Sequence, residues 1–446
     1  MLTTQRQNTF LQINYGLLLL TAGTFFFSRY IFLPIALLWL LVVIVEWNWK
    51  DRYNTLKENK MLLIAALFLL FYLLYIFGPL HSENINAAIS DWEYKIWFLA
   101  APICIMPLLP KLSRKQLDLV LLVFTLAIVL VTISCFIMSC ILFINPPEKI
   151  VNCPHKAFFY MLATALPIGT MGHPSYCSLY ETCAWLIAAE FLRKKNPWLK
   201  NRHLKRLLIA CLCLFSIHTL LLQSKVGVFF FLIVIAIYFV LTFCTNRKRL
   251  VITCVLFSIV CFLGIMFIAK SNSRLAKGVR NLSTLTERVE NNPQESNAIR
   301  VALWGNSIEL LEGHWLTGIG NGDIYDALHE KAVEHNYIYI ASGKFNTHSQ
   351  ILQCYLGFGI LGGLLIIALM IVPAVICIKN KSLTSTLIIL AFILNVLVES
   401  MLEQYSGATL IPIFTAIFTY RAMLKPCNED ESALHNPSNP PLTSCE

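Results

Sequence analysis

Charged residues are scarce in this sequence, and their scarcity excludes most soluble folds. Asp, Glu, Lys and Arg make up 13% of the 446 residues, whereas about a quarter is usual in soluble domains. Hydrophobic residues account for 57%, so a soluble fold of this composition would expose apolar surface everywhere. A soluble enzyme, a disordered chain and a disulfide-stapled secreted module are therefore excluded. The chain is predicted to be an integral membrane protein.

Cysteine pairs with metal-binding spacing are also missing. The sequence contains 15 cysteines but no CxxC pair, and most of the cysteines fall inside apolar runs, where they serve as small apolar residues. No paired Asp residues occur in a metal-binding context on the predicted outer face. The sequence therefore predicts neither a metal site nor a cofactor.

A cleavage site is missing after the first apolar run, which predicts an uncleaved anchor rather than a signal peptide. The formal net charge of +10 is not taken as a sign of a nucleic-acid partner. In a membrane protein, Lys and Arg first mark the loops that stay in the cytoplasm.

Long apolar runs are abundant, and a run of about 20 residues is enough to cross a membrane as a helix. The predicted fold class is all-α, a polytopic membrane protein with about 12 transmembrane helices and one large outer loop that contains helices. The predicted spans are 10–27, 30–47, 61–80, 94–110, 117–143, 175–192, 206–222, 226–245, 250–269, 354–378, 383–399 and 407–423.

The distribution of Lys and Arg predicts the orientation. With the N-terminus inside, most basic residues lie in inner segments and few in the short outer loops, as cytoplasmic loops require. Both termini are then cytoplasmic. The predicted organisation is 1–269 for the first nine helices, 270–353 for the large outer loop, 354–423 for the last three helices and 424–446 for a disordered tail.

The large outer loop contains two predicted helices. One is capped by Ser296 or Asn297 and runs along the membrane interface to about Glu312. The other starts near Asn346 and continues into span ten. Between them, the sequence GIGNGD lacks the Lys and Ser/Thr of a phosphate-binding P-loop, so it is interpreted as a flexible turn.

Three polar side chains near the outer face could carry chemistry. His348 could act as a general base, or it could be an ordinary polar residue at a helix start. The guanidinium of Arg300 could bind two phosphate oxygens, or snorkel at the interface. Lys225 could hold an anionic lipid head, or simply occupy a turn.

Five motifs occur in order between His173 and Gly363, and together they resemble one family. They are HPSY, QSKVG, NAIRVALW, GHWLTGIGNGD and NTHSQILQCYLGFGILGG. The chain resembles the O-antigen ligase and polymerase superfamily of bacterial inner-membrane glycosyltransferases. The resemblance implies a GT-C-like fold, a location in the bacterial inner membrane among membrane lipids, and an active site that faces the periplasm.

The resemblance also implies a reaction. An undecaprenyl-diphosphate-linked glycan would be transferred, with inversion and without a metal, to a hydroxyl of a lipid A-core or other glycan acceptor. The family's loop histidine falls on His348 and its loop arginine on Arg300, the catalytic residues. Its hairpin arginine falls on Lys225, which would bind the donor diphosphate together with Arg300 but only as a point charge. Further substrate contacts are expected at His173, Tyr176, Gly320 and Asn346.

Several alternatives stay open. Within the same superfamily the chain could be a repeat-unit polymerase or a protein O-oligosaccharyltransferase, which differ from a ligase in the acceptor. A membrane transporter or lipid flippase is a different class, for which 12 spans are typical, although no related halves are visible in the sequence. Glu399, at the end of span eleven, and the nearby Glu403 could contact substrate or belong to an ordinary outer loop.

Overall fold

The structure is a computed structural model that describes residues 4–24, 29–145, 173–193, 201–243, 285–291, 293 and 295–424. Within these ranges about 84% of the residues are helical and none lies in a strand. The prediction of an all-α fold is therefore confirmed for the part of the chain that the structure describes.

The described ranges contain 17 α-helices, with short 3₁₀ or π turns between some of them. The first ten are α1 (Thr4–Thr24), α2 (Arg29–Glu46), α3 (Trp49–Glu58), α4 (Leu62–Phe77), α5 (Ile85–Tyr94), α6 (Trp97–Ala100), α7 (Arg114–Ile144), α8 (Pro174–Arg193), α9 (Arg202–Leu221) and α10 (Lys225–Phe243). The others are α11 (Leu285–Glu290), α12 (Ser296–Leu311), α13 (Ile324–Glu334), α14 (Ile338–Ala341), α15 (Gln350–Lys379), α16 (Leu383–Val398) and α17 (Tyr405–Met423).

Several of these helices are long and apolar enough to cross a membrane. Five meet both criteria on their own, namely α4 with its 3₁₀ extension, α7, α9, α10 and α15. Two bent pairs raise the number to seven: α2 with α3, bent by 106°, and α5 with the segment Trp97–Lys111, bent by 46°. The chain is thus a multi-pass membrane protein. The count of 12 stays a prediction, because span 250–269 lies outside the described residues.

Helix α8 lies at the centre of the bundle, although its composition is not apolar enough to meet the same criteria. Every residue from Pro174 to Phe191 is buried, and α8 packs against α7, α9, α10 and α16. Because protein rather than lipid surrounds it, α8 can carry Glu181 and Glu190. Arg421 of α17 donates one hydrogen bond to Asp118 of α7 and another to Glu190.

Helix α15 is broken near its N-terminal end. Phe358 and Gly359 have non-helical dihedral angles, and Gly359 has a φ of 62°. The break frees backbone groups that pair with residues 315–320: the N–H of Ile319 donates to Leu356 O at 2.8 Å, and that of Ile360 donates to Trp315 O at 3.0 Å. Buried backbone groups need such partners.

The Gly-rich stretch is therefore not the flexible turn that the sequence predicted. Gly318, Gly320 and Gly322 are buried. Asp323 accepts hydrogen bonds from the backbone N–H groups of Glu83 and Asn84, at 2.9 and 2.7 Å. The stretch packs between the turn after α4 and the break in α15. Its fixed conformation depends on these tertiary contacts rather than on the local sequence.

Helix α12 starts as predicted to within one residue. Its cap is Glu295, whose side chain accepts a hydrogen bond from the N–H of Asn297 at 2.9 Å, rather than Ser296 or Asn297. Ile299 and Leu303 of α12 form a small core with Ile324 and Leu328 of α13. This core fixes the rotation of α12.

The break in α15 generates a testable prediction. A Cβ at position 359 would lie 2.0 Å from Leu316 O, and the positive φ is unfavourable for any side chain. Gly359→Ala should therefore lower the free energy of unfolding by about 1–3 kcal/mol or more. Thermal unfolding of the detergent-solubilised protein, followed by far-UV circular dichroism, measures the change.

Gly305→Ala is the matched control. Gly305 lies inside α12, and a Cβ there would meet nothing within 4 Å. Since alanine is the better helix former by up to about 1 kcal/mol, this variant should unfold at or slightly above the wild-type temperature. Equal melting of both variants would contradict the assigned role of the break.

Candidate active site

The carboxylate of Glu399, which directly follows α16, is the centre of a polar cluster. Its side chain is only 4% exposed. One oxygen accepts a hydrogen bond from Arg300 Nη2 and forms an ion pair with it. The other oxygen lies 3.2 Å from His348 Nδ1. The structure thus brings together the two side chains that the sequence predicted to be catalytic.

Arg300 projects from the second turn of α12 and is held by several acceptors. Its Nε donates to Val398 O at 3.3 Å, and its Nη1 donates to the backbone oxygen and the hydroxyl of Ser296, at 3.2 and 2.6 Å. Together with Glu399, these acceptors use four of the five N–H donors of a guanidinium. The bidentate grip on phosphate that the sequence suggested is therefore not available in this arrangement, although the positive charge is in place.

His348 lies in the loop before α15 in a strained conformation. Its φ is 50°, which is uncommon outside glycine. The side chain of Asn346 stabilises this turn by accepting a hydrogen bond from the N–H of His348 at 3.0 Å. The imidazole is 27% exposed, so it is accessible from outside while one nitrogen faces the buried carboxylate.

The protonation state of Glu399 follows from its surroundings. Burial alone raises the pKa of this carboxyl, but the hydrogen bond from His348, the positive charge of Arg300 and the nearby imidazoles of His348 and His173 lower it to about 2. Glu399 is therefore ionised at neutral pH. For its contact with His348 to be a hydrogen bond, Nδ1 must carry the hydrogen. In the neutral imidazole, Nε2 then has a free lone pair.

The start of α8 closes another side of the cluster. The hydroxyl of Ser175 donates to Glu399 at 3.4 Å, and His173 Nδ1 lies 3.0 Å from the same hydroxyl. The hydroxyl of Tyr176 donates to Ser400 O at 3.4 Å. His173 and Tyr176, predicted as substrate contacts, are thus placed next to Glu399.

Lys225 lies beside the cluster, as the first residue of α10 at the hairpin with α9. Its ammonium forms an ion pair with Glu295, the cap of α12. Its neighbour Ser224 contacts Ser175, with the two hydroxyl oxygens 3.2 Å apart. The hairpin approaches α8 closely at Gly227, where a Cβ would lie 2.6 Å from Ser178. Lys225 is about one-fifth exposed.

Gly320 lies in a different place. Its φ is 98°, and a Cβ there would lie within 3 Å of His81 O and of the Ser82 hydroxyl. The structure places Gly320 against the turn after α4 rather than beside Glu399. Its part in substrate binding stays a prediction.

Glu403 anchors the far end of the same loop. It pairs with Lys95 at 2.9 Å, and Lys95, which is fully buried, also pairs with Asp91 at 2.5 Å. Gln350, at the start of α15, donates to Glu403 at 3.1 Å and accepts from the N–H of Leu402 at 2.7 Å. These bonds connect the loop that carries Glu399 to the helix that follows His348.

The sequence leaves the role of Glu399 open and gives no link between Glu399 and Arg300 or His348. The available signal was a pair of carboxylates, Glu399 and Glu403, directly after an apolar span. Ionisable residues at the edge of a membrane span are often functional. Nothing in the local sequence indicates that one carboxylate meets Arg300 and the other meets Lys95.

Comparison with known proteins identifies part of the chain. Residues 209–367 match the family model described as O-antigen ligase, and this range includes Lys225, Arg300 and His348, whereas His173 and Glu399 lie outside it. A search of curated proteins gave no match. Proteins of the matched family are glycosyltransferase-like enzymes that act on lipid-linked glycans. This match bears out the resemblance seen in the motifs, since residues 209–367 are similar to the O-antigen ligase family.

Proposed function

We propose that the protein is an O-antigen ligase. It transfers a glycan from an undecaprenyl-diphosphate donor to a hydroxyl of the lipid A-core acceptor, with inversion and without a metal. The observation that carries this proposal is the buried Glu399 carboxylate, which holds the Arg300 guanidinium and the His348 imidazole in one cluster. A family match over the residues that supply Arg300 and His348 supports it.

His348 is the general base in this proposal. Its Nε2 takes the proton of the acceptor hydroxyl while that oxygen attacks the anomeric carbon. Glu399 keeps the hydrogen on Nδ1 and stabilises the imidazolium that forms, as the carboxylate does in serine hydrolases. Because the pKa of Glu399 is about 2, the proton stays on the imidazole. Such a base contributes on the order of 10²–10⁴-fold in rate.

The leaving diphosphate gathers negative charge, which Arg300 and Lys225 stabilise. Arg300 keeps one N–H free for a phosphate oxygen, and its charge acts in a largely buried site, since its side chain is only 12% exposed. Lys225 exchanges Glu295 for the donor diphosphate. The attack comes from the face opposite the diphosphate, which inverts the configuration at the anomeric carbon.

The proposal places the protein in the bacterial inner membrane, with both termini cytoplasmic and the site on the periplasmic side. The distribution of Lys and Arg supports this orientation. Arg300 and His348, which both lie in the large loop, meet Glu399 at the end of α16 where the polypeptide leaves the bundle.

Complementation of a strain that lacks the protein tests the function. Without it, long lipid-linked polymer should accumulate and the lipid A-core should stay unmodified, and the wild-type gene should restore polymer on the core. His348→Ala should insert normally but restore no transfer, because the attacking hydroxyl loses its base. Electrophoresis of surface polysaccharide and labelling of the lipid-linked pool measure both outcomes.

His329→Ala is the control, since His329 is an exposed histidine of α13. This variant should restore transfer fully.

The deletion strain also distinguishes the alternatives. A lipid A-core that carries a single repeat unit would indicate a polymerase instead, and loss of glycan from proteins would indicate a protein O-oligosaccharyltransferase. Normal transfer by His348→Ala in reconstituted vesicles would show that His348 is not the general base.

Replacement of Glu399 tests the partnership with His348. Glu399→Gln keeps the shape of the side chain but removes its charge, so transfer should fall by roughly 10²–10⁴-fold.

The stability of the protein should also depend on pH through Glu399. The ordinary pKa of 4.5 is lowered to about 2 in the folded protein, so the carboxylate stabilises the fold above pH 4.5. That contribution disappears as the pH falls toward 2.

The wild type should therefore melt above Glu399→Gln at pH 6, and the gap should narrow when the pH drops below about 4. Glu312→Gln, which removes an exposed carboxylate after α12, should leave both transfer and melting unchanged. A constant gap between wild type and Glu399→Gln from pH 6 to pH 3 would show that the carboxylate charge is not what stabilises the site.

Variants of Lys225 test the assignment of the hairpin cation. Lys225→Arg should transfer within a few-fold of wild type, whereas Lys225→Gln should lose about 10-fold or more, the value of one charge-assisted contact to phosphate. Glu295→Gln separates this role from the ion pair, because it removes the partner but keeps the cation. Equal losses in Lys225→Gln and Glu295→Gln would assign the cation a structural role only.

A further inference from the structure

A second polar cluster is buried between α8 and α9, on a side of α8 that the proposed mechanism does not use. Cys177 and Glu181 lie four residues apart on α8, and His218 lies on the last turn of α9. Their exposed fractions are 2%, 0% and 2%. One ligand atom from each side chain lies within 4.8 Å of the others.

The geometry centres on one carboxylate oxygen. Oε1 of Glu181 lies 2.6 Å from His218 Nδ1 and 3.7 Å from Cys177 Sγ. Thr132 of α7 donates to the same oxygen at 3.1 Å, and Thr219 donates to Oε2 at 2.7 Å. Four side chains from three helices thus surround one carboxyl group.

The polar groups of this cluster are only partly satisfied by the protein. Nε2 of His218 is buried and has no hydrogen-bond partner in the described part of the chain. The hydrogen bonds and ion pairs of Glu181 include no Lys or Arg among the described residues. A buried carboxyl group without a cation beside it is unfavourable, and a bound metal ion would supply the positive charge.

We propose that this cluster binds one Zn²⁺ ion through Cys177 Sγ, Glu181 Oε1 and His218 Nδ1. Two ligands four residues apart on one helix, with a third from the neighbouring helix, form a common metal-binding pattern. A thiolate, an imidazole and a carboxylate are all zinc ligands. Binding releases the thiol proton of Cys177 and shifts the imidazole hydrogen to Nε2.

The charge then balances, because Zn²⁺ neutralises one thiolate and one carboxylate. One unpaired Nε2–H costs far less than three metal bonds provide.

The ion would brace the outer part of the bundle. Glu181 lies six residues after Ser175 on α8, which is about 9 Å along a helix. His218 lies one turn before the hairpin that carries Ser224 and Lys225. A link between α8 and α9 at this depth would set the position of that hairpin against the start of α8.

Metal content of the purified protein, carrying an affinity tag without histidine, tests the proposal. We expect about one zinc per chain by plasma mass spectrometry, and at least a fivefold reduction in Cys177→Ser and in His218→Gln. Cys183→Ser, which removes another buried cysteine of α8, should keep the zinc. Size-exclusion chromatography and far-UV circular dichroism report whether each variant is folded.

Cobalt substitution gives a readout that does not depend on the variants. Zinc-stripped wild-type protein should bind Co²⁺ and show a thiolate-to-cobalt charge-transfer band in the near ultraviolet, and added Zn²⁺ should remove that band. If the wild-type protein contains no stoichiometric zinc and does not show this band, the cluster binds no metal ion and the proposal is wrong. Neither measurement uses glycan transfer, so the test of the zinc site is independent of the test of the proposed ligase activity.

Discussion

The buried carboxylate of Glu399 is the constraint on which the candidate active site depends. A carboxylate removed from water is costly unless positive charge and hydrogen-bond donors surround it. Glu399 satisfies this condition with Arg300, His348 and Ser175, which lie 99, 51 and 224 residues away in the chain. One carboxylate thereby fixes α12, the loop before α15 and the start of α8 against the end of α16, and it leaves His348 Nε2 available for a proton.

Two features of the helix bundle allow these side chains to contact Glu399. Helix α8 is buried from Pro174 to Phe191, so its first turn can deliver Ser175 to the centre of the site, while Glu181 and Glu190 are shielded from lipid. The break at Gly359 lets residues 315–320 hydrogen-bond to α15. That pairing holds the segment between α12 and α13, and the small core of these two helices then orients Arg300.

Much of the fold could be predicted because its elements are encoded locally. Apolar runs of sufficient length give helices whatever their neighbours are, and α4, α7, α10 and α15 agree with their predicted spans to within a few residues. The Gly-rich stretch was misjudged because its order comes from the broken helix and the turn after α4. Lys95 is fully buried and pairs with both Asp91 and Glu403, and no local pattern indicates its pairing with Glu403, which lies 308 residues away.

The sequence by itself determined a multi-pass helical membrane protein with the motifs of the O-antigen ligase superfamily, because hydropathy and short motifs are properties of contiguous residues. Only the tertiary structure showed that Arg300 and His348 share Glu399, that Lys225 pairs with Glu295, and that Cys177, Glu181 and His218 converge inside the bundle. These groups come from helices far apart in the chain. Their contacts follow from how the helices pack and from the cost of burying a charge without a partner, and neither leaves a local pattern in the sequence.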